Sequence, residues 1–196
     1  MHVEFLSWRD AGWQAAASLI EGHFAKAHGA QMTVPAVRLA VALSQTGKLL
    51  GATGVRTADE GFFSQVYLDR PVAETLSERI GALVANEDII EVVSMACPKP
   101  LATLPLIEAI AAEGRRQGRS WGLFTATTPL VRLLGHAGVP LVMLAPARPE
   151  RLVGASSWGR YYDSLPWVCA VHEGPATEPL RFMPARAGLR QGAGLK

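Results

Sequence analysis

The fold is decided by residues 89–103, which read Ile-Ile-Glu-Val-Val-Ser-Met-Ala-Cys-Pro-Lys-Pro-Leu-Ala-Thr. The first eight are apolar and rich in β-branched side chains, which predicts a strand with one carboxylate, Glu91, inside it. The two prolines end that strand, and helical spacing then predicts a helix from Leu104 to Gln117. Because a strand that leads into a helix N-terminus makes an anion site, we expect phosphorylated cofactors to dock here.

The segments on either side extend this unit in both directions. After it, the pattern predicts a strand over 120–125, a helix from Thr128 to Gly138 and a strand over 139–144. Before it, apolar spacing predicts a helix over 13–28, capped by Asp10, and a second over 70–83. Short runs between turn-forming residues predict strands over 37–43, 49–56, 62–68 and 166–172. The expected class is therefore α/β in the wider α+β sense, an antiparallel meander followed by β-α-β-α-β.

The composition indicates one globular domain. The chain has 196 residues, of which 49% are hydrophobic and 18% charged, and its formal net charge is +2. We predict a single domain over residues 1–173 and a loosely ordered tail over 174–196, where Pro, Gly, Ala and Arg lack periodicity. So small a net charge, with its basic residues dispersed, argues against a nucleic-acid partner.

The cysteines and histidines carry no metal-site or disulfide pattern. Cys97 and Cys169 are the only cysteines, and the five histidines show no metal-ligand spacing, so we predict no metal. We interpret Cys97 as a structural thiol. The first residues lack a secretory pattern, and no apolar run reaches the ~18–20 residues of a membrane helix. We expect a cytoplasmic protein without integral membrane association.

Glu91 is the first candidate for chemistry. A carboxylate buried in an apolar strand is costly unless it is paired, and burial beside a cleft would raise its pKa. Such a group can accept a proton from an amine. The alternative is a structural carboxylate at a strand edge or paired with an arginine.

Two further segments are candidates for binding. Backbone N–H groups at Thr103 and Leu104 could hold a pyrophosphate, although an ordinary capped helix explains the same pattern. Trp158, Tyr161 and Tyr162 precede the last strand. Their phenols could donate a proton to a leaving group and the indole could line an acyl pocket, whereas packing at the core edge is the alternative.

Several separated matches in the right order give the sequence a family resemblance. They are Phe-Ala-Lys-Ala-His-Gly-Ala at 24–30, Gln-Val-Tyr-Leu-Asp-Arg-Pro-Val-Ala-Glu at 65–74, Glu-Val-Val-Ser-Met-Ala at 91–96 and Trp-Gly-Arg-Tyr-Tyr at 158–162. From about Trp13 to Ala170 the chain resembles the thermostable hemolysin family, a GNAT-like group related to acyl-homoserine-lactone synthases. The resemblance implies a mixed, mostly antiparallel sheet with splayed middle strands flanked by helices.

The resemblance also implies a reaction and a donor site. It implies an N-acyltransferase that takes an acyl group from acyl-CoA or from the phosphopantetheine of an acyl carrier protein, without a tightly bound cofactor. The acceptor would be a small-molecule amine such as an amino acid. Glu91 would take the proton, Tyr161 or Tyr162 would protonate sulfur, and Trp158 would contact substrate. The implied donor-binding residues are Ser94, Met95, Ala96, Thr103 and Leu104, with the backbone N–H groups around Met95 and Ala96 polarising the carbonyl.

This chain departs from the family pattern at three places. Val93 and Ser94 replace a Gly-Asn pair, and the loop before Leu104 lacks the glycine-rich phosphate loop of general GNAT enzymes. Leu134 occupies the place where many of those enzymes carry a proton-donating tyrosine. The lost loop favours a carrier-protein donor. Two alternatives stay open, which are a non-catalytic module that binds an acyl donor and a membrane-active hemolysin-like protein.

Overall fold

A computed structural model describes residues 1–174 and 179–182, in which seven strands form one sheet in the order β1-β2-β3-β4-β5-β7-β6. The strands are β1 His2–Leu6, β2 Arg38–Leu43, β3 Leu49–Arg56, β4 Ile89–Ala96, β5 Trp121–Ala126, β6 Leu141–Pro146 and β7 Trp167–His172. The helices are α1 Trp13–His28, α2 Val72–Ile80, α3 Thr103–Arg116 and α4 Thr128–His136. Only β4 and β5 pair in parallel, so the mixed, mostly antiparallel sheet is confirmed.

Helices cover both faces of the sheet because its strands alternate apolar side chains between them. In β2, Leu39 and Val41 pack with α1 on one face, and Ala40 and Ala42 pack with α3 on the other. Helix α2 lies on the α1 face and α4 on the α3 face. The C-terminal ends of β4 and β5 therefore lie between the two helical layers.

The prediction of a strand over 62–68 is wrong. It forms a 3₁₀ helix, Phe63–Tyr67, because the backbone N–H groups of Phe63 and Ser64 donate to the Glu91 carboxylate and not to a neighbouring strand. The outer strand of the meander is instead β1, which pairs antiparallel with β2.

The helix boundaries also bring two corrections. Helix α1 has the expected bounds, but Gly12 precedes it with a φ of 94°, and the Asp10 carboxylate accepts the N–H of Ser7 instead of capping. Helix α2 is shorter than the expected 70–83. It starts after Pro71 and ends at Gly81, whose φ of 70° terminates the last turn.

The expected tail over 174–196 falls mostly outside the described residues. Of that segment the structure describes Gly174 and residues 179–182, and the latter lie against the α3 and α4 layer. Within residues 1–174 and 179–182, no helix combines the length and hydropathy that crossing a membrane requires.

Candidate functional site

A bulge in β4 forms the centre of the candidate site. Two residues of β4, Ser94 and Met95, stand opposite the single residue Thr53 of β3, and Ser94 has a φ of 52°. The Thr53 hydroxyl donates to the Val93 carbonyl at 2.8 Å, which gives that oxygen a partner where the ladder is interrupted. Gly54 permits this approach, since a Cβ there would lie 2.6 Å from Cγ2 of Val93.

Beyond this bulge, β4 and β5 separate. Their parallel pairing runs from Ile89–Trp121 to Val92–Phe124 and then stops, although both strands continue. Two adjacent cavities lie at this separation, and their walls share Val92, Ser94, Met95, Thr125 and Leu130. The splay of the middle strands is therefore present in this chain.

The larger cavity, which we name the cleft, has a volume of about 280 Å³. One wall is aromatic, with the ring centroids of Trp158 and Tyr161 5.3 Å apart and those of His28 and Tyr161 5.4 Å apart. The cleft is lined by His23, Phe24, His28, Phe63, Ser64, Tyr67, Val92, Val93, Ser94, Met95, Cys97, Thr103, Thr125, Thr127, Pro129, Leu130, Trp158, Tyr161 and Ser164.

The smaller cavity, which we name the apolar cavity, lies beneath α3 and α4 and has a volume of about 70 Å³. Its wall is hydrocarbon over most of its extent, including Ile107, Ile110 and Phe124. Glycines keep it open, because a Cβ on Gly122 would lie 3.1 Å from Val171 and one on Gly114 would lie 3.2 Å from Ile90. The site thus places the cleft, with its aromatic wall, beside the apolar cavity.

Glu91 lies behind the cleft wall rather than in it. Its side chain is completely buried, and each carboxylate oxygen accepts a backbone N–H at 2.7 Å, from Phe63 and from Ser64. Burial raises the pKa of Glu91, while the Ser64 hydroxyl, these N–H groups and the charge of Arg56 oppose the rise. The carboxylate holds in place two residues that do line the cleft.

Hydroxyl groups connect Glu91 to the cleft. The Ser64 hydroxyl forms a hydrogen bond that lowers the pKa of Glu91, and it lies 2.9 Å from the Thr125 hydroxyl. Both Ser64 and Thr125 line the cleft. The Tyr161 hydroxyl donates to the Thr125 carbonyl at 3.4 Å. Tyr161 is buried, and burial raises its pKa, so its phenol keeps its proton.

The two tyrosines predicted together occupy different places. Tyr161 lines the cleft, whereas Tyr162 lies outside its wall, with its hydroxyl 2.7 Å from that of Tyr67. Burial raises the pKa of Tyr67 and Tyr162 as well. Tyr67 also lines the cleft, a position that the predicted strand over 62–68 does not indicate.

Two histidines in the cleft wall were also missed. His23 and His28 project from the last turns of α1, and burial lowers the pKa of each. For His28, the neighbouring His23 and Arg160 lower it further, which favours the neutral imidazole. Their only sequence signal is a spacing of five residues on one amphipathic helix, which predicts neither a metal site nor a base.

The N-termini of α3 and α4 both reach the cleft. Thr103 begins α3, and Thr127 and Pro129 belong to the first turn of α4. Pro105 in the first turn of α3 and Pro129 in α4 have no N–H, so each terminus offers one fewer anion donor. Each terminus is therefore a weaker anion site than a helix start that keeps all of its free N–H groups.

The predicted residues fall into two groups. Ser94, Met95, Thr103, Trp158 and Tyr161 line the cleft. Glu91, Ala96, Leu104 and Tyr162 lie outside it, with Ala96 in the core against α1 and Leu104 packed beside α4.

The surroundings of Cys97 disfavour a nucleophilic role. Cys97 lines the cleft, but burial raises the pKa of its thiol, which disfavours the nucleophilic thiolate. In the part of the chain that the structure describes, no three His, Cys, Asp or Glu side chains gather as metal ligands would.

Comparison with known proteins identifies a family and a fold. The family model described as thermostable hemolysin matches residues 7–176. Among curated proteins, none matches this sequence.

Solved structures match over most of the chain at low identity. The AHL synthase LasI has a TM-score of 0.60 at 11% identity, covering 88% of this chain and 91% of its own. FeeM, an N-acyl amino acid synthase from uncultured soil microbes, has a TM-score of 0.58 at 12% identity, covering 88% and 95%. BjaI, a CoA-dependent acyl-homoserine lactone synthase solved with SAM and isopentyl-CoA, has 0.54 at 14%, covering 88% and 83%. The GNAT-like fold expected from the sequence is confirmed.

Proposed function

The chain belongs to the thermostable hemolysin family, and from that premise we propose that it is an N-acyltransferase. It moves an acyl group from a thioester donor to an amine. The observation that carries this proposal is the pair of cavities that meet at the β4 bulge, because a thioester has one apolar chain and one polar reacting centre. The structural neighbours named as acyl-homoserine lactone and N-acyl amino acid synthases support it.

The donor places its acyl chain in the apolar cavity and its carbonyl at the bulge. The N–H of Met95, beside Ser94 with its positive φ, stabilises the developing oxyanion. The phosphopantetheine arm leaves along Thr103 at the start of α3. Acyl-CoA and an acyl carrier protein share that arm, and the prolines in the first turns of α3 and α4 favour the carrier.

The acceptor amine enters the cleft beside Trp158 and attacks the thioester carbon. The new C–N bond forms as the C–S bond breaks, and the amine proton passes through the Ser64 hydroxyl to Glu91. The Tyr161 hydroxyl turns from the Thr125 carbonyl to donate a hydrogen bond to the departing sulfur, which takes its proton from solvent. Tyr162 supports the wall through Tyr67, and the products are an amide and a free thiol.

A lipid analysis combined with a purified assay tests the proposal. Extracts of cells that express the protein should contain a new N-acyl product by mass spectrometry, and cells that express the Glu91→Gln variant should lack it. With purified protein, an amine should accelerate thiol release from acyl-CoA or from acyl carrier protein, and comparing the two donors identifies the arm's source.

Two results would overturn the proposal. Donor binding without thiol release, for folded protein and every amine offered, would establish a non-catalytic acyl-binding module. Red-cell lysis by the purified protein without any substrate would support a membrane-active protein.

A further inference from the structure

Residues 179–182, which we name the strap, cross the outer side of the apolar cavity. Leu180 and Phe182 pack on a cluster formed by Leu134, Val139 and Val171. Leu180 also lines the apolar cavity itself. A short segment without helix or strand structure thus completes the wall of a chamber that the sheet and helices leave open.

Two buried or partly buried carboxylates hold the strap. The N–H of Leu180 donates to Glu173 at 3.1 Å, and the N–H of Phe182 donates to Glu108 of α3 at 2.9 Å. Glu173 is 4% exposed and forms an ion pair with Arg115, which fixes its carboxylate. Because each anchor binds main chain, both hydrogen bonds can persist when a side chain of the strap is replaced.

Leu180 lies at the end of the cavity that is remote from the bulge. Its anchor Glu173 donates its own backbone N–H to the Ser120 carbonyl. Ser120 immediately precedes Trp121, which pairs with Ile89, the first residue of β4. The bulge lies toward the other end of β4. From residue 90 to residue 94 a strand advances about 13 Å, at ~3.3 Å per residue.

We propose that Leu180 forms the floor of the acyl site and sets the length of the acyl chain that the protein accepts. This inference rests on the proposed function, since it assigns the apolar cavity to the acyl chain. The substrate class is an acyl thioester whose terminal methyl group contacts Leu180.

The size of the Leu180 side chain determines how the length preference should move. Leu180→Ala removes three carbons from the floor and admits a longer chain, whereas Leu180→Trp fills the end of the cavity. Each methylene that gains or loses a buried site changes kcat/KM by about fourfold. Arg181, which is exposed on the same strap, provides the matched control through Arg181→Ala.

The test measures kcat/KM for even-numbered acyl donors from butyryl to myristoyl with one amine. We expect the optimum of Leu180→Ala to move at least one even-numbered step longer, that of Leu180→Trp at least one step shorter, and that of Arg181→Ala to stay with the wild type. Superimposable profiles for the wild type and both Leu180 variants would overturn the inference.

A binding measurement separates this inference from the proposed function. If no donor is turned over, calorimetric titration of the same proteins with fatty acids from hexanoate to myristate replaces the kinetic assay. A length preference that moves with the Leu180 variants supports the floor even though the reaction fails. The same length preference in all variants removes the floor alone, whereas no binding by folded wild type removes the acyl assignment as well.

Discussion

Replacing Glu91 with glutamine tests the connection between the buried carboxylate and the chemistry of the cleft. The change keeps the size of the side chain but removes its charge and one of its two acceptor oxygens. The new NH₂ group must then face the N–H of Phe63 or of Ser64, both of which now donate at 2.7 Å. A donor facing a donor leaves a buried N–H without a partner.

The expected loss of stability follows from these contacts. A hydrogen bond to a charged group contributes about 1.5–3 kcal/mol, and an unsatisfied buried donor costs about 1–3 kcal/mol. Removing a charge that is completely buried offsets part of this loss. We expect the unfolding free energy to fall by about 2–4 kcal/mol, which lowers Tm by roughly 5–15 °C for a chain of this size.

The expected loss of activity is separate and larger. If Glu91 accepts the amine proton through Ser64, the variant loses a general base, which is worth roughly 100-fold to 10,000-fold in rate. Thiol release should be measured well below the Tm of the variant, with circular dichroism at the same temperature showing that the fold is retained. Under those conditions kcat should fall by about 100-fold or more.

Glu113→Gln is the matched control for this experiment. Glu113 is another carboxylate, 7% exposed, and it pairs with Arg38 and Arg116 away from the cleft. Burial disfavours its ionised form, but the hydrogen bonds from Arg116 and Arg38 lower its pKa overall. This variant should lose stability and keep kcat within about twofold, a factor that corresponds to ~0.4 kcal/mol. If Glu91→Gln also keeps its kcat while losing stability, the carboxylate only holds the 3₁₀ helix and the relay is refuted.

Three further predictions concern the pH dependence that Glu91 gives to stability, the tight contact at Gly159 and the role of His28. Burial raises the folded-state pKa of Glu91 above the ordinary value of 4.5. The contribution of Glu91 to the unfolding free energy should therefore be fully present below pH 4.5 and be lost as pH rises through the folded pKa. Denaturant unfolding should show this fall of the unfolding free energy with pH in wild type, and Glu91→Gln should lack it. Gly159→Ala should lower stability by several kcal/mol in thermal unfolding, since Gly159 has a φ of 57° and a Cβ there would lie 2.2 Å from the His28 carbonyl oxygen, whereas Gly135→Ala, with open space around it, should not. His28→Phe should keep kcat within about threefold, or ~0.7 kcal/mol, because the ring packs edge-on against Tyr161 in the cleft wall while Glu91 takes the proton. A loss of kcat of about 100-fold would make the imidazole the base.

The sequence predicted the elements whose patterns are periodic. Helix α1 and the β4 to α3 unit were placed correctly because their apolar spacing reflects the face that each buries. The segment 63–67 was misassigned because its β-forming composition is overridden by one tertiary contact, the carboxylate of Glu91 twenty-seven residues after Ser64. No local pattern reports a partner so distant.

The site could be predicted less fully than the fold. Ser94, Met95 and Tyr161 were found because they lie in stretches that already carried a family resemblance. His28 and Tyr67 were missed because only tertiary packing brings them to the cleft. The 3₁₀ helix that carries Tyr67 packs on β5, and the ring of His28 contacts Tyr161 in the segment 155–164, which we name the aromatic loop. Leu180 was missed because a four-residue segment without regular structure has no periodicity to read.

The attachment of the aromatic loop to α1 has an evolutionary consequence. Two main-chain hydrogen bonds join the loop to the end of that helix, from the Arg160 N–H to the His28 carbonyl and from the Gln31 N–H to the Ser157 carbonyl. Ring contacts of Phe24 and His28 with Tyr161 add to them, and Gly159 allows the close approach of the His28 carbonyl. Under the proposed function, substitutions in this loop that keep Gly159 and the ring contacts leave both main-chain hydrogen bonds intact, so single substitutions could change the amine preference while the loop keeps its position.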